Sequence, residues 1–186
     1  MTAVKRSVLV GLLIAAAAAV VALVLSMRSA LPEGGGGAAP AVAGPKNLSV
    51  TIGTETFDLR DGVAGKPAAP GSATVNTVRI VGEPVTGDAD GDGAPDAALL
   101  LQNDPGGSGT FYYAVLAVNH DGTYRATNAL PLGDRISPEG IDFTDGSFVY
   151  RVLERKADEP MMAAPSVEKR VPINLDPASD RISIGF

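Results

Sequence analysis

The densest chemistry in the chain lies in nine residues, Asp88 to Asp96, which read DADGDGAPD. Asp88, Asp90, Asp92, Gly93 and Asp96 stand at positions 1, 3, 5, 6 and 9 of that segment. Calcium is a hard cation that takes about six to eight oxygens at roughly 2.3–2.6 Å. Carboxylates at alternate positions converge when the chain curls round such an ion, and glycine at the sixth position permits the sharp turn. Asp88, Asp90, Asp92 and Asp96 are therefore candidate side-chain ligands, and Ala94 a candidate carbonyl ligand. The plain alternative is an acidic, solvated turn, because Asp and Gly are common in turns. Four aspartates gathered without a cation would repel one another, which favours the metal. Magnesium fits less well, since it demands near-octahedral geometry; the calcium affinity expected of an extracellular module is weak, on the order of 10⁻⁴–10⁻³ M.

Position 12 of the segment is Leu99, inside the apolar run Ala97 to Leu101, where an EF-hand would place a bidentate glutamate. The element after the loop is thus expected to be a buried strand. A loop D-x-D-x-D-G-x-x-D between two strands resembles the calcium loops of integrin-type FG-GAP and VCBS repeats. The resemblance covers Val85 to about Leu101. It implies side-chain oxygens from Asp88, Asp90, Asp92 and Asp96 and a carbonyl from Ala94. It does not extend to a propeller, which needs several blades, because this domain has one such loop. The wider pattern GD-x-DGDG-x-x-DAA followed by PGGSG-x-F-x-Y is also similar to a family of small exported bacterial proteins of unassigned function, which lends no catalytic residues. If Phe111 to Asn119 returns beside the strand that leaves the loop, the turn at Asn119 to Gly122 lies at the same end of the sheet. Asn119 or Asp121 could then complete the coordination, against the simpler reading of a hairpin turn.

Other reactive residues offer less. Gly106-Gly107-Ser108-Gly109-Thr110 lacks the final glycine of a nucleophile elbow, and no lysine follows to make a phosphate loop. His120 is the only histidine and there is no cysteine, which removes thiolate metal sites, disulfides and ordinary zinc sites. A Ser108–His120–Asp121 triad would need Ser108 and His120 to meet across a strand length, so His120 is expected to be an exposed turn residue. Met161 and Met162 are soft ligands for copper(I) in principle, but adjacent methionines without partners read as filler. Arg151, Glu154, Arg155 and Lys156 read as a solvated strand end.

The elements that must position the loop are expected to be strands. Apolar–polar alternation and β-branched residues mark Leu48–Ile52, Thr54–Leu59, Thr74–Val85, Ala97–Gln102, Phe111–Asn119, Phe148–Leu153, Val167–Leu175 and Arg181–Phe186. Asp-Gly pairs at 61–62, 121–122 and 145–146 favour tight hairpins. No helical spacing runs over three turns after residue 45, so residues 46–186 are expected to form an all-β, mostly antiparallel sandwich or small open barrel. From Lys46 onward there are 12 basic and 20 acidic side chains, a net of −8. That balance argues against nucleic acid as a partner.

Residues 1–28 carry Lys5 and Arg6 before Val8 to Met27, 20 residues without a charge. A helix of that length spans about 30 Å, the thickness of a bilayer core. It reads as an uncleaved signal anchor with the domain outside the cytoplasm, or as a signal peptide cleaved after Ser26. Residues 29–45 are a Gly/Ala/Pro-rich linker that offers little to bury. The reading is a membrane-anchored or secreted, non-catalytic calcium-binding domain in the periplasm or outside, with an envelope protein or polymer as a possible partner. The alternative is a periplasmic hydrolase or enzyme inhibitor with an unrecognised site; an inhibitor would present Pro105 to Gly109 as its protruding loop.

Overall fold

A computed structural model of the chain describes residues 44–160 and 162–185. The expected N-terminal helix and most of the linker lie outside them. Among the described residues no helix is long and apolar enough to cross a membrane. The described residues are all-β: they form thirteen strands, every pair of neighbours antiparallel.

At its centre lie β6 (Asp96–Asp104) and β7 (Phe111–His120), paired from Ala97 opposite Ala117 to Asn103 opposite Phe111. These strands explain the near-continuous apolar runs in the sequence, because both of their faces are covered. Ala97, Leu99, Leu101, Val115 and Ala117 pack on Val50, Phe57 and Leu59, which belong to or flank the hairpin of β1 (Ser49–Ile52) and β2 (Glu55–Asp58). Ala98, Leu100, Ala114, Leu116 and Val118 face the other way, onto Phe148, Tyr150, Val152, Val171, Ile173 and Ile182. These six come from a four-stranded meander: β10 (Ser137–Thr144), β11 (Ser147–Glu154), β12 (Val167–Asp176) and β13 (Arg181–Ile184). The result is a sandwich with the small hairpin added on its far side. Buried Tyr150 reaches from β11 into the central sheet, its hydroxyl 3.0 Å from the Leu99 carbonyl and 3.1 Å from that of Val115.

The central sheet is completed by short strands that each cover half of β6 or β7. β3 (Val63–Pro67) pairs with β4 (Val75–Ile80), which covers the C-terminal half of β6; β5 (Val85–Gly87) covers its N-terminal end. β8 (Thr123–Ala126) covers the C-terminal end of β7, and β9 (Leu130–Asp134) its N-terminal half. The expected single strand Thr74–Val85 is therefore two strands, bent at residues 81–84 so that β4 and β5 serve opposite ends of β6. The Asp-Gly turns form as expected. Asp121 and Asp145 have φ of 52° and their glycines 87° and 77°, the left-handed pair that a two-residue hairpin needs.

Of the residues read as a solvated strand end, Lys156 is exposed, while Arg151, Glu154 and Arg155 are clamps. Arg151 forks onto Asp142 at 2.7 and 3.3 Å, and Lys169 bonds Glu154 at 2.6 Å. Arg155 donates to the carbonyls of Asp134, Arg135 and Ala163, tying β11 to the β9–β10 corner. At that corner Asp134 accepts the Arg135 guanidinium at 2.7 Å and the Thr110 N–H at 3.0 Å. The Arg135 hydrogen bond, aided by the Thr110 N–H, outweighs partial burial and holds the Asp134 carboxyl below its ordinary value. A lowered folded value contributes stability above the unfolded carboxylate pKa of ~3.9, lost as pH falls through the folded value. Asp134→Asn is therefore expected to melt below the parent at pH 7, with the gap narrower at pH 3 in parallel thermal scans. A gap of equal size at both pH values would show that the carboxylate charge contributes nothing there.

Candidate metal centre

The loop between β5 and β6 is held from both sides before any ligand is considered. On one side Gly87, the last residue of β5, lies against Phe143 of β10: a Cβ at Gly87 would fall 2.5 Å from the ring. Ala89 packs against the same core. On the other side Asp96 opens β6, fully buried. Its Oδ2 accepts the Ala89 N–H and its Oδ1 the Asn119 N–H, both at 2.9 Å. Pro95 offers its carbonyl to Asn119 Nδ2 at 3.2 Å. The loop is thus stapled to the end of β7.

Between these anchors the chain curls as the spacing of its aspartates requires. Asp88 accepts the N–H of Gly91 at 2.7 Å and that of Gly93 at 3.1 Å. Asp90 accepts the Asp92 N–H and Asp92 the Ala94 N–H. Gly91 and Gly93 have φ of 80° and 92°, which side-chain-bearing residues rarely adopt. In this arrangement Asp88, Asp90 and Asp96 each bring one carboxylate oxygen to within 4.8 Å of the others. A carboxylate has about four lone-pair sites, so the one or two backbone bonds each accepts leave room for a cation.

Electrostatics mark the same point. Burial above all, then the charges of Asp96, Asp92 and Asp88, push the Asp90 carboxyl above its ordinary value against the help of the Asp92 N–H. A cation held between these oxygens would reverse that repulsion. The donor set is all hard oxygen, without nitrogen or sulfur, which suits calcium or magnesium over softer metals. The three-carboxylate cluster can hold a metal ion.

Of the residues singled out from the sequence, Asp88, Asp90 and Asp96 come together. Asp92 stands outside the cluster, exposed, its Oδ1 on the Ala94 N–H. Asn119 does lie at this end of the sheet, but as a brace: its Oδ1 accepts the Gly122 N–H at 2.8 Å while its amide holds Pro95. Asp121 is an exposed turn residue outside the cluster. His120 is not the exposed turn residue expected; it ends β7, half-buried, with Nε2 2.9 Å from Asp180 Oδ2. Ser108 lies beyond the opposite end of β7, whose ten residues span about 30 Å, so no triad with His120 forms. Sequence reading missed the Gly87–Phe143 contact and the Asn119 brace. Comparison with protein-family models, with curated proteins and with solved structures found no match.

Proposed function

We propose that the chain is an exported, non-catalytic domain, tethered by its apolar N-terminal segment, whose Asp88–Asp96 loop binds calcium. The observation that carries this reading is the convergence of the Asp88, Asp90 and Asp96 carboxylates on one point, with buried Asp96 fixed by two backbone donors. Asp92 then joins by a side-chain movement and Ala94 through its carbonyl, bringing the oxygens toward the number calcium takes. Calcium is favoured over magnesium because it tolerates the irregular coordination that two left-handed glycines and an exposed Asp92 carboxylate would give. The ion ties β5 and β6 to the end of β7. It rigidifies that end of the sandwich as a surface for an envelope protein or polymer. The non-catalytic reading is supported by the separation of Ser108 from His120 and by the engagement of His120 with Asp180.

A ligand that binds only the folded state stabilises it by mass action, about 2.7 kcal/mol at 100 times Kd. For a domain of this size that is a rise in melting temperature of roughly 8 °C. Full-length protein stripped with chelator and melted with and without ~10 mM calcium, about 100 times a Kd of 10⁻⁴ M, is expected to show it. Coincident melts would remove calcium from this reading.

A further inference from the structure

A second site is suggested by a polar cleft of about 500 Å³, away from the aspartate loop. Its walls are β1, the connection from β8 to β9, and the turn from β12 to β13. Its size is that of a small-molecule pocket. Almost every polar side chain lining it is already used inside the fold. Ser49 donates to Asp58, Thr51 pairs with Thr56, and Ser179 donates to Asp176. Thr127 accepts the Leu116 N–H and donates to the Asn128 carbonyl, and the Asn128 side chain bonds both backbone groups of Ile182.

Two neighbouring lining groups are left over. Asp180 spends Oδ2 on His120, while Oδ1 is buried with no hydrogen-bond partner. Its backbone also sits in the left-handed region, at φ 49°, which L-residues other than Asn, Asp and Gly rarely occupy. Arg181 is exposed, and its guanidinium has no hydrogen bond or ion pair among the described residues. An unsatisfied buried acceptor is costly, and a donor brought to Asp180 would relieve that cost.

The uncommitted chemistry of the cleft is thus one carboxylate and one guanidinium on consecutive residues. A cation alone would meet Arg181 and an anion alone would meet Asp180. A molecule carrying both an ammonium and a carboxylate satisfies each with a charge-assisted bond, the guanidinium gripping its carboxylate in a fork. None of the lining residues is aromatic, so the stacking platform that would suit a nucleobase or a sugar ring is missing. We propose that this cleft binds a free α-amino acid, its ammonium on Asp180 and its carboxylate on Arg181. Neither residue belongs to the aspartate loop, so this site and the calcium site can fail separately.

The test is calorimetric titration of full-length protein with each of the twenty free L-amino acids, and with glycine betaine and N-acetylglycine as controls. At least one amino acid is expected to bind with Kd on the order of 10⁻⁴ M. The controls, which lack the ammonium N–H donors, should bind at least ~10-fold more weakly. Asp180→Asn keeps an acceptor for His120 and suits the left-handed backbone, so it should fold normally yet lose ~10-fold or more in affinity. Arg181→Gln should do the same. Failure of all twenty to bind would leave Asp180 Oδ1 as an acceptor for ordered water and overturn the proposal. So would affinities unchanged by both substitutions, or betaine binding as tightly as the amino acid.

Discussion

Replacing Asp96 by alanine is expected to lower the melting temperature by roughly 10–20 °C and to abolish any response to calcium. Asp96 is fully buried, and its two oxygens satisfy the N–H groups of Ala89 and Asn119. Alanine leaves the buried Asn119 donor and the part-buried Ala89 donor unpaired, at about 1–3 kcal/mol each, and removes charge-assisted bonds worth more than neutral ones. A loss of about 3–5 kcal/mol follows, and a domain of this size moves by roughly 3–4 °C per kcal/mol. Asp90→Ala separates the two roles. Asp90 is half-buried and accepts a single N–H, from Asp92 within the loop. In chelator its loss should change the melt by less than about 0.5 kcal/mol, while the calcium-induced rise disappears. Thermal melts of the three proteins, each in chelator and in calcium, check the whole pattern. If Asp96→Ala melted with the parent in chelator, the carboxylate would not be the staple described.

The second large effect is expected at Gly87. Alanine there would place a methyl group 2.5 Å from the Phe143 ring, nearer than real Cβ contacts come. Phe143 cannot simply retreat, because its ring already leans on Phe148 with centroids 4.7 Å apart. Overpacking of this kind costs about 1–3 kcal/mol. Because Gly87 adjoins Asp88, a displaced β5 should also weaken calcium binding ~10-fold or more. Trimming the ring with Phe143→Leu should restore part of both losses in the double variant, a coupling that a thermodynamic cycle measures. Simple additivity of the two substitutions would show that the ring and the glycine do not press on each other.

The contrast between the readable and unreadable parts of the fold has physical causes. β6 and β7 announce themselves because burial on both faces leaves no polar residue from Ala97 to Leu101 or from Ala114 to Val118. The hairpins at Asp121-Gly122 and Asp145-Gly146 are equally plain, since that dipeptide meets a local backbone demand. β3, β9 and β10 are hidden by Pro67, by Pro131 and Gly133, and by Pro138 and Gly140. Those residues look like breakers in sequence, but all three strands lie at sheet edges, where a missing N–H or a bulge is tolerated. The division of Thr74–Val85 into two strands depends on what each must cover in β6, which local alternation does not encode.

The convergence of Asp88, Asp90 and Asp96 was legible because their spacing is local. Its support was not. The Asn119 brace lies 23 residues from Asp96, and the His120–Asp180 pair spans 60. Neither leaves a pattern in the sequence, because a hydrogen bond across a sheet constrains position in space and not spacing along the chain.

The most direct test of the calcium reading is calorimetric titration of calcium into chelator-stripped, full-length protein, beside an Asp90→Ala/Asp92→Ala variant. The parent should show a single saturable site with Kd on the order of 10⁻⁴–10⁻³ M, and the variant none. A parent without saturable heat up to about ten times that upper Kd, or a variant that binds as the parent does, would contradict it and leave Asp88 to Asp96 an acidic turn.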